Sequence, residues 1–422
     1  MSRFQRFNHG LTPSPWGVAP GYYISRLRRS EIRLRFLCDP ALAKLRYQRT
    51  FQFAFNAFRG NNPTISMNRR IILFGPMPPP YGGVTTYMQA LVARLGNRIR
   101  VWTYGGAKPR DPSQRFVAHR RLGTLWALLA EGRRARILDA THFHLEYPNP
   151  LLLLVWLTLK WPFGFEWYKN IHDGSLPRRY PEFGGFRRWL FHRAVNAVDE
   201  FVVVSEDLRR WLAEEIGVRQ PIHVIPGLLP PAPAASASDL SSTTKNLIAP
   251  YLARATRVCS IGVFFSSYGF RDVAEAVEEL RRRTNKDIGL LLLDGAFVRD
   301  ETYREEVLWD RDWITVLEEV PNPEIHEILK RSDVFVRAFA DESYGLSRIE
   351  ALWCGIPVIA TRAGETRGMM LYDFGDVPQL VNQLQSVLLY PAVEDPNPWA
   401  ARYQREAEEN LRALKEVLGV EK

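Results

Sequence analysis

Two glutamates eight positions apart, Glu342 and Glu350, stand in the run Arg337-Ala-Phe-Ala-Asp341-Glu342-Ser-Tyr344-Gly345-Leu346-Ser-Arg348-Ile-Glu350-Ala-Leu-Trp-Cys354-Gly355-Ile-Pro357-Val358. The apolar residues before Arg337 predict a buried strand that ends there. Gly345 and Leu346 open a helix, and Gly355-Ile-Pro357 stops it. The first-turn N–H groups of such a helix have no intrahelical partner and suit a phosphate. Glu350 falls about one and a half turns in, between the apolar Ile349 and Ala351-Leu352. That setting predicts a buried carboxylate able to accept from a hydroxyl-rich neutral group beside the phosphate, such as a ribose. Arg337 and Arg348 flank the loop with positive charge.

Other candidates lie at the ends of apolar runs. His172 follows one and precedes Asp173-Gly174, where a cleft residue and a satisfied core histidine are the two readings. Gly82 and Gly83 end a Pro/Gly loop that leads into a helical pattern. A second glycine pair, Gly262 and Gly269, brackets Val263-Phe-Phe-Ser-Ser-Tyr268, with Arg271 just beyond. His142 and His144 alternate as on a strand and read as structural, without a carboxylate to complete a metal pair. Asp310-Arg-Asp312 has a metal-binding spacing but sits among charges, as a solvated face does.

These residues need elements to hold them. Short apolar runs at Ile71–Phe74, Ile99–Thr103, Thr141–His144, Tyr168–His172, Phe201–Val204 and His223–Ile225 predict strands buried on both faces, with helical stretches between them. Pro/Ala/Ser-rich residues 229–245 read as a linker. The pattern then restarts, with strands at Val258–Val263, Ile288–Leu293, Ile314–Leu317, Val334–Val336 and Pro357–Ala360. Helices are expected at Phe270–Arg283, Pro323–Lys330, Ser347–Trp353 and Trp399–Leu418. The fold class is therefore α/β: two doubly wound Rossmann-like domains, residues 67–228 and 246–395, facing a cleft, with a C-terminal helix over 396–422 crossing back to the first domain. The apolar run Leu151–Leu159 is too short to span a bilayer and reads as a buried helix. The chain has 422 residues, 46% of them hydrophobic and 24% charged, which excludes disorder as its main state. Cys38, Cys259 and Cys354 are too few and too far apart for a disulfide scaffold, and no Cys-x-x-Cys zinc pair occurs.

The Glu342/Glu350 segment resembles the signature of the retaining nucleotide-sugar glycosyltransferases of family four, which have the GT-B fold. Their motif is a Glu, seven residues, a second Glu and then a Cys-Gly-x-Pro-Val turn. Gly345, Ala351-Leu352, Cys354-Gly355, Pro357-Val358 and Ala360-Thr361 all fall in register with it. The likeness extends over most of residues 67–390, through Tyr81-Gly82-Gly83, Ile171-His172-Asp173-Gly174, Val204-Ser205-Glu206 and Ile225-Pro226-Gly227. It implies a nucleotide-sugar on the second domain, with Glu350 on the ribose and Glu342 facing the sugar. It implies an acceptor on the first domain near Gly82, Gly83, His172 and Asp173, and it implies no metal or other cofactor. One departure is plain: the family's diphosphate-holding Arg and Lys are Val263 and Tyr268 here. A leaving diphosphate needs positive charge, and Arg271, Arg337, Arg348 and Arg367 are the candidates, with Arg271 the closest in sequence. The loss leaves a non-catalytic relative as one alternative; a GT-B epimerase or phosphorylase is another.

Charge divides along the chain. Residues 1–66 hold 11 Lys+Arg against 2 Asp+Glu, residues 67–227 hold 23 against 13, and residues 228–422 hold 22 against 31. The strand opening just after Met67 makes Met67 the expected start and residues 1–66 a basic extension. The arginines around Trp189 (Arg178, Arg179, Arg187, Arg188, Arg193) suit an anionic membrane surface. No nucleic-acid-reading motif accompanies them. The expectation is a peripheral protein at the cytoplasmic face of the membrane, with a lipid-linked saccharide as acceptor. There is no secretory signal in the first thirty residues.

Overall fold

The computed structural model describes residues 69–79, 81–104, 114–117, 123–227, 240–295, 299–389 and 397–420. The basic extension over 1–66, Cys38 and most of the 229–245 linker lie outside the described residues.

The first domain carries seven strands: β1 (Ile71–Phe74), β2 (Ile99–Thr103), β3 (Gln114–Phe116), β4 (Arg136–Asp139), β5 (Glu166–Ile171), β6 (Glu200–Val203) and β7 (Ile222–Val224). They form one sheet in the order β3-β2-β1-β4-β5-β6-β7, with every pair parallel. The helices are α1 (Gly83–Leu95), α2 (Gly123–Ala127, continued by a wider turn over Leu128–Gly132), α3 (Pro150–Phe163), α4 (Leu176–Arg179), α5 (Gly185–Ala197) and α6 (Glu206–Arg210).

The second domain opens with α7 (Ser242–Leu252). Six parallel strands follow: β8 (Thr256–Gly262), β9 (Ile288–Asp294), β10 (Ile314–Glu318), β11 (Val334–Arg337), β12 (Val358–Thr361) and β13 (Met370–Tyr372). Their order is β10-β9-β8-β11-β12-β13. The covering helices are α8 (Phe270–Thr284), α9 (Glu301–Leu308), α10 (Asn322–Leu329), α11 (Leu346–Trp353) and α12 (Val377–Leu389), and α13 (Asn397–Leu418) ends the chain. The order reverses between β1 and β4 and between β8 and β11. At such switch points the crossing connections part and leave a crevice at the carboxyl ends of the strands.

Burial explains the strands. All seven residues of β9 and all four of β1 are buried, as expected of strands covered on both faces. One prediction fails. The strand before α3 is Arg136–Asp139, not Thr141–His144. Ile137 and Leu138 are fully buried, whereas Thr141–His144 form a turn tied to the strand end, with Thr141 N donating to Asp139 Oδ1 at 2.9 Å and His144 Nδ1 lying 2.6 Å from Oδ2. The short edge strands β3 and β13 carry too few residues to show a period. Helix α7, N-capped by Ser241, opens inside the tract read as linker. Helix α3 forms where expected but is not buried throughout: Leu151 and Leu154 face solvent.

The last helix joins the domains. Its first half packs on the second domain, where Trp353 Nε1 donates to Ala400 O at 3.1 Å and Tyr403 OH to Arg367 O at 2.9 Å. Its end enters the first domain's core. Leu414 and Leu418 are buried with Ile71, Leu73 and Leu91, and Arg136 donates to Leu418 O at 2.8 Å.

Candidate active site

The carboxyl end of β11 builds the second-domain side. Arg337, the last residue of that strand, donates from Nε to Glu342 Oε2 at 2.7 Å, and both side chains are about nine-tenths buried. Arg337 also donates to Ile261 O at the end of the neighbouring β8. Burial is the largest single influence on Glu342 and would raise its carboxyl. The Arg337 and Arg348 guanidiniums and the Arg337 hydrogen bond together overcome it, so the group is held below the ordinary carboxylate range.

Arg348 works from beneath. It is fully buried, donates to Thr361 Oγ1 at 2.9 Å and to Glu365 O at 3.0 Å, and also bonds Ala363 O. It therefore holds the loop after β12 under Glu342, rather than meeting a ligand as the sequence suggested. Gly345 has φ +91, a conformation that L side chains rarely adopt. A Cβ there would also lie 2.9 Å from Arg348 Cδ. Leu346 starts α11 and packs against Gly227 of the first domain.

The loop from Gly262 to Gly269 carries no charged residue and is largely apolar, Ser266 and Ser267 apart. Val263, Phe265 and Tyr268 are buried, with Phe339 packed on them. Tyr268 stacks on Phe339, ring centroids 4.2 Å apart, and Arg337 Cζ lies 5.3 and 5.2 Å from the two centroids. A Cβ on Gly262 would be 3.0 Å from Tyr268, while Gly269, at φ +64, starts α8. Arg271, the cation nearest in sequence, does not join this group. It pairs with Glu306, and its guanidinium carbon lies 5.2 Å from the centroid of Tyr303. One strand over, Arg337 instead brings a guanidinium to the end of β8. Arg367 is likewise committed elsewhere, to Glu365 and Glu406.

Glu350 is 4% exposed on α11. Its Oε1 accepts from Asn322 Nδ2 at 2.8 Å and lies 3.2 Å from His326 Nε2, both on α10. Two groups orient one oxygen and leave Oε2 outside the pair.

Across from these, the β5–α4 loop approaches closely. Ser343 Oγ donates to His172 O at 2.6 Å, Arg178 pairs with Asp341, and a Cβ on Gly174 would lie 2.8 Å from Asp341 O. His172 packs edge-on against Tyr87 at 4.5 Å, and its Nε2 has no hydrogen-bond partner among the described residues. Burial, then the positive fields of His142 and Lys169, push its imidazole down to about 3, so it is neutral at physiological pH. Asp173 is not offered to a ligand. Its Oδ1 accepts from Ser175 N at 2.9 Å and Ser175 Oγ at 2.6 Å, and its Oδ2 pairs with Arg179. Gly82 and Gly83 open α1 as expected, but Gly82 N already donates to Thr85 Oγ1 at 2.8 Å. Gly83 is exposed, with no atom within 4 Å of where a Cβ would stand. On the other domain, Gly295 at the end of β9 comes close to Tyr81 O.

Behind His172 lies a buried charged group that the motifs do not reveal. Lys169, on β5, is fully buried, donates to Thr141 O at 2.5 Å and lies 3.2 Å from Glu146 Oε2. Burial pushes Glu146 up to about 7 and His142 down to about 4. In sequence, Lys169 sits inside an apolar strand, and that is the one signal that could have marked it. Asn322 and His326 carry no comparable signal, because they meet Glu350 only through the packing of α10 on α11.

Residues 81–230 match the family model described as Glycosyltransferase Family 4, and residues 253–371 the one described as Glycosyl transferases group 1. The first match falls on the first domain and the second on the second domain. An alpha-maltose-1-phosphate synthase of Mycolicibacterium smegmatis is 24% identical, over 74% of this chain and 81% of its own length. The fold is shared with solved GT-B glycosyltransferase structures. Sucrose-phosphate synthase from Thermosynechococcus elongatus has a TM-score of 0.58 at 18% identity, covering 83% of this chain and 96% of that one. Anabaena HepE in complex with UDP-glucose has 0.61 at 15%, covering 82% and 99%. An alpha,alpha-trehalose-phosphate synthase from Burkholderia xenovorans has 0.63 at 13%, covering 83% and 100%.

Proposed function

We propose that these two glycosyltransferase domains move a sugar from a nucleotide-sugar to an acceptor hydroxyl with retention of the anomeric configuration. The acceptor would be a lipid-linked saccharide of envelope or exopolysaccharide synthesis. One observation carries the reading: an ionised, buried Glu342 held by Arg337 stands beside the start of α11 and opposite His172. In this reading the bond from the anomeric carbon to the diphosphate oxygen breaks. Arg337 and the free N–H groups of α11 stabilise the charge gathering on the leaving diphosphate. Glu342 faces the positive charge growing at the sugar, Glu350 Oε2 accepts from the ribose, and the neutral His172 takes a hydroxyl through Nε2. The acceptor hydroxyl proton leaves with the diphosphate. The guanidiniums, rather than a metal, serve the phosphates.

The test is a panel of nucleotide-sugars. A matching donor should raise the melting temperature by several degrees. With an acceptor it should release nucleoside diphosphate, at a rate a chelator leaves unchanged, and proton NMR of the product should show the donor's anomeric configuration. The uncharged Gly262–Gly269 loop favours the second reading, a non-catalytic binding protein. Donor binding without any release, with or without acceptor, would decide for it.

A further inference from the structure

Most of the large apolar side chains exposed among the first domain's described residues sit on three helices; Trp161, at the far end of α3, is also exposed, and Val224, on β7, is the exception. Trp126 and Leu129 on α2 and its extension, Leu151 and Leu154 on α3, and Phe186 and Trp189 on α5 all face solvent. Three of them are more than 60% exposed: Trp126 at 64%, Leu151 at 61% and Phe186 at 63%. Helix α3 packs between α2 and α5, so the six lie on three adjoining helices. Phe186 and Trp189 stack with ring centroids 5.9 Å apart and planes at 18°, which makes a flat aromatic plate at the start of α5. Among the described residues, the second domain's exposed large apolar side chains are Leu247, Trp309 and Phe374, on separate elements. A contiguous apolar face on one domain alone needs a partner.

Its charge says which. Residues 123–134, 150–163 and 185–197 hold Arg133, Arg134, Lys160, Arg187, Arg188 and Arg193 against Glu131 alone. Glu131 is already engaged by Trp102 Nε1 at 2.8 Å and by Arg115 at 2.7 Å. Arg133, Arg134, Arg188 and Arg193 are exposed. Arg187 is not available as the sequence suggested: it packs on the Phe183 ring, 3.7 Å from the centroid, and donates to Glu146 O at 3.0 Å. We infer that the outer face of α2, α3 and α5 docks on an anionic lipid bilayer, with the Trp, Phe and Leu side chains in the headgroup region and the arginines on lipid phosphates. A second copy could match the charge through its acidic domain, but that domain offers scattered apolar side chains and no matching plate. Residues 1–66 carry the same sign of charge as the face.

The place of the face gives it purpose. Leu151 and Leu154 sit in the first turns of α3, and Phe186 and Trp189 in those of α5. Both helices start from the carboxyl edge of the sheet, where His172 lies, so a bilayer on this face reaches the rim of the candidate site. This purpose rests on the sugar-transfer reading with a lipid-linked acceptor; the docking itself does not.

The experiment is cosedimentation of the full chain with phosphatidylcholine vesicles, with and without phosphatidylglycerol, across a salt series. The parent should bind the anionic vesicles and lose binding as salt rises. Leu151→Glu with Trp189→Glu should lower partition at least about tenfold. Unchanged circular dichroism and an unchanged donor-induced thermal shift would establish that the variant is folded. Arg188→Glu with Arg193→Glu should also weaken binding. Equal binding by parent and variants would overturn the inference, as would no binding by the parent. A parent that sediments as a dimer, and becomes monomeric in the variant, would overturn it in favour of a second copy. Docking that fails while a soluble saccharide is still glycosylated leaves the sugar-transfer reading standing. Docking that persists without any nucleoside diphosphate release removes that reading alone.

Discussion

Replacing Arg337 by Met removes the one guanidinium among the described residues that is hydrogen-bonded to Glu342. The pair is joined at 2.7 Å, with side chains 11% and 9% exposed, so water screens little of the change. Breaking a buried pair from one side leaves the other charge uncompensated and costs about 3–5 kcal/mol. The pH dependence follows from the direction of the shift. In the parent, Glu342 is held below the ordinary carboxylate range, so its stabilisation is present above the unfolded value and fades as pH falls through the folded one. In the variant the Arg337 field and hydrogen bond are gone, so the carboxyl rises from its parent position and that stabilisation is lost above the unfolded value. The gap between parent and variant in denaturant unfolding should therefore be large at pH 7 and small near pH 4. Turnover should fall about 100- to 1,000-fold, the usual loss for one donor aimed at developing charge. Donor affinity should fall less, because the charge is greatest in the transition state. Arg337→Lys keeps the cation without the fork and should recover part of the rate. A folded Met variant that turns over within about threefold of the parent, or a Lys variant no better than Met, would refute the assignment of Arg337 to the diphosphate.

Glu350→Gln should raise the donor dissociation constant about 10- to 100-fold, the worth of one charge-assisted hydrogen bond, with little change in turnover at saturation; titration calorimetry reads the first and steady-state kinetics the second. Glu342→Gln should do the reverse, lowering turnover with donor affinity roughly kept. His172 titrates at about 3 in the fold against an ordinary 6.5, so the unfolded chain takes up its proton first and stability should fall as pH drops from 6.5 toward 3. A melting series in that range should show the loss reduced in His172→Gln, and rate profiles between pH 6 and 8 should carry no step from this residue. Leu414→Ala, at the buried end of α13, should cost about 2–5 kcal/mol, measured by chemical denaturation, although it lies far along the chain from the strands it packs against.

The sequence by itself determined what depends on local pattern. Buried apolar runs separated by helical spacing announced two parallel sheets, because a strand covered on both faces has no polar alternation. Gly345 and the Gly355-Ile-Pro357 stop placed α11 to within one residue of its observed start, since the conformations they need are written in their own backbone chemistry. Tertiary structure alone decided which charges meet. Arg271 stands three residues after Tyr268 and eight after Val263, where the resemblance implies the diphosphate-holding cations, yet it turns to Glu306, while Arg337, seventy-four positions after Val263, reaches the end of β8 because β11 is that strand's neighbour. The same holds for Asp173, which looked free in Asp-Gly but is consumed by Ser175 and Arg179. It holds too for Lys169, whose burial beside Glu146 is set by the turn after β4. Strand adjacency and side-chain pairing are properties of distance in space, and a linear pattern does not carry them.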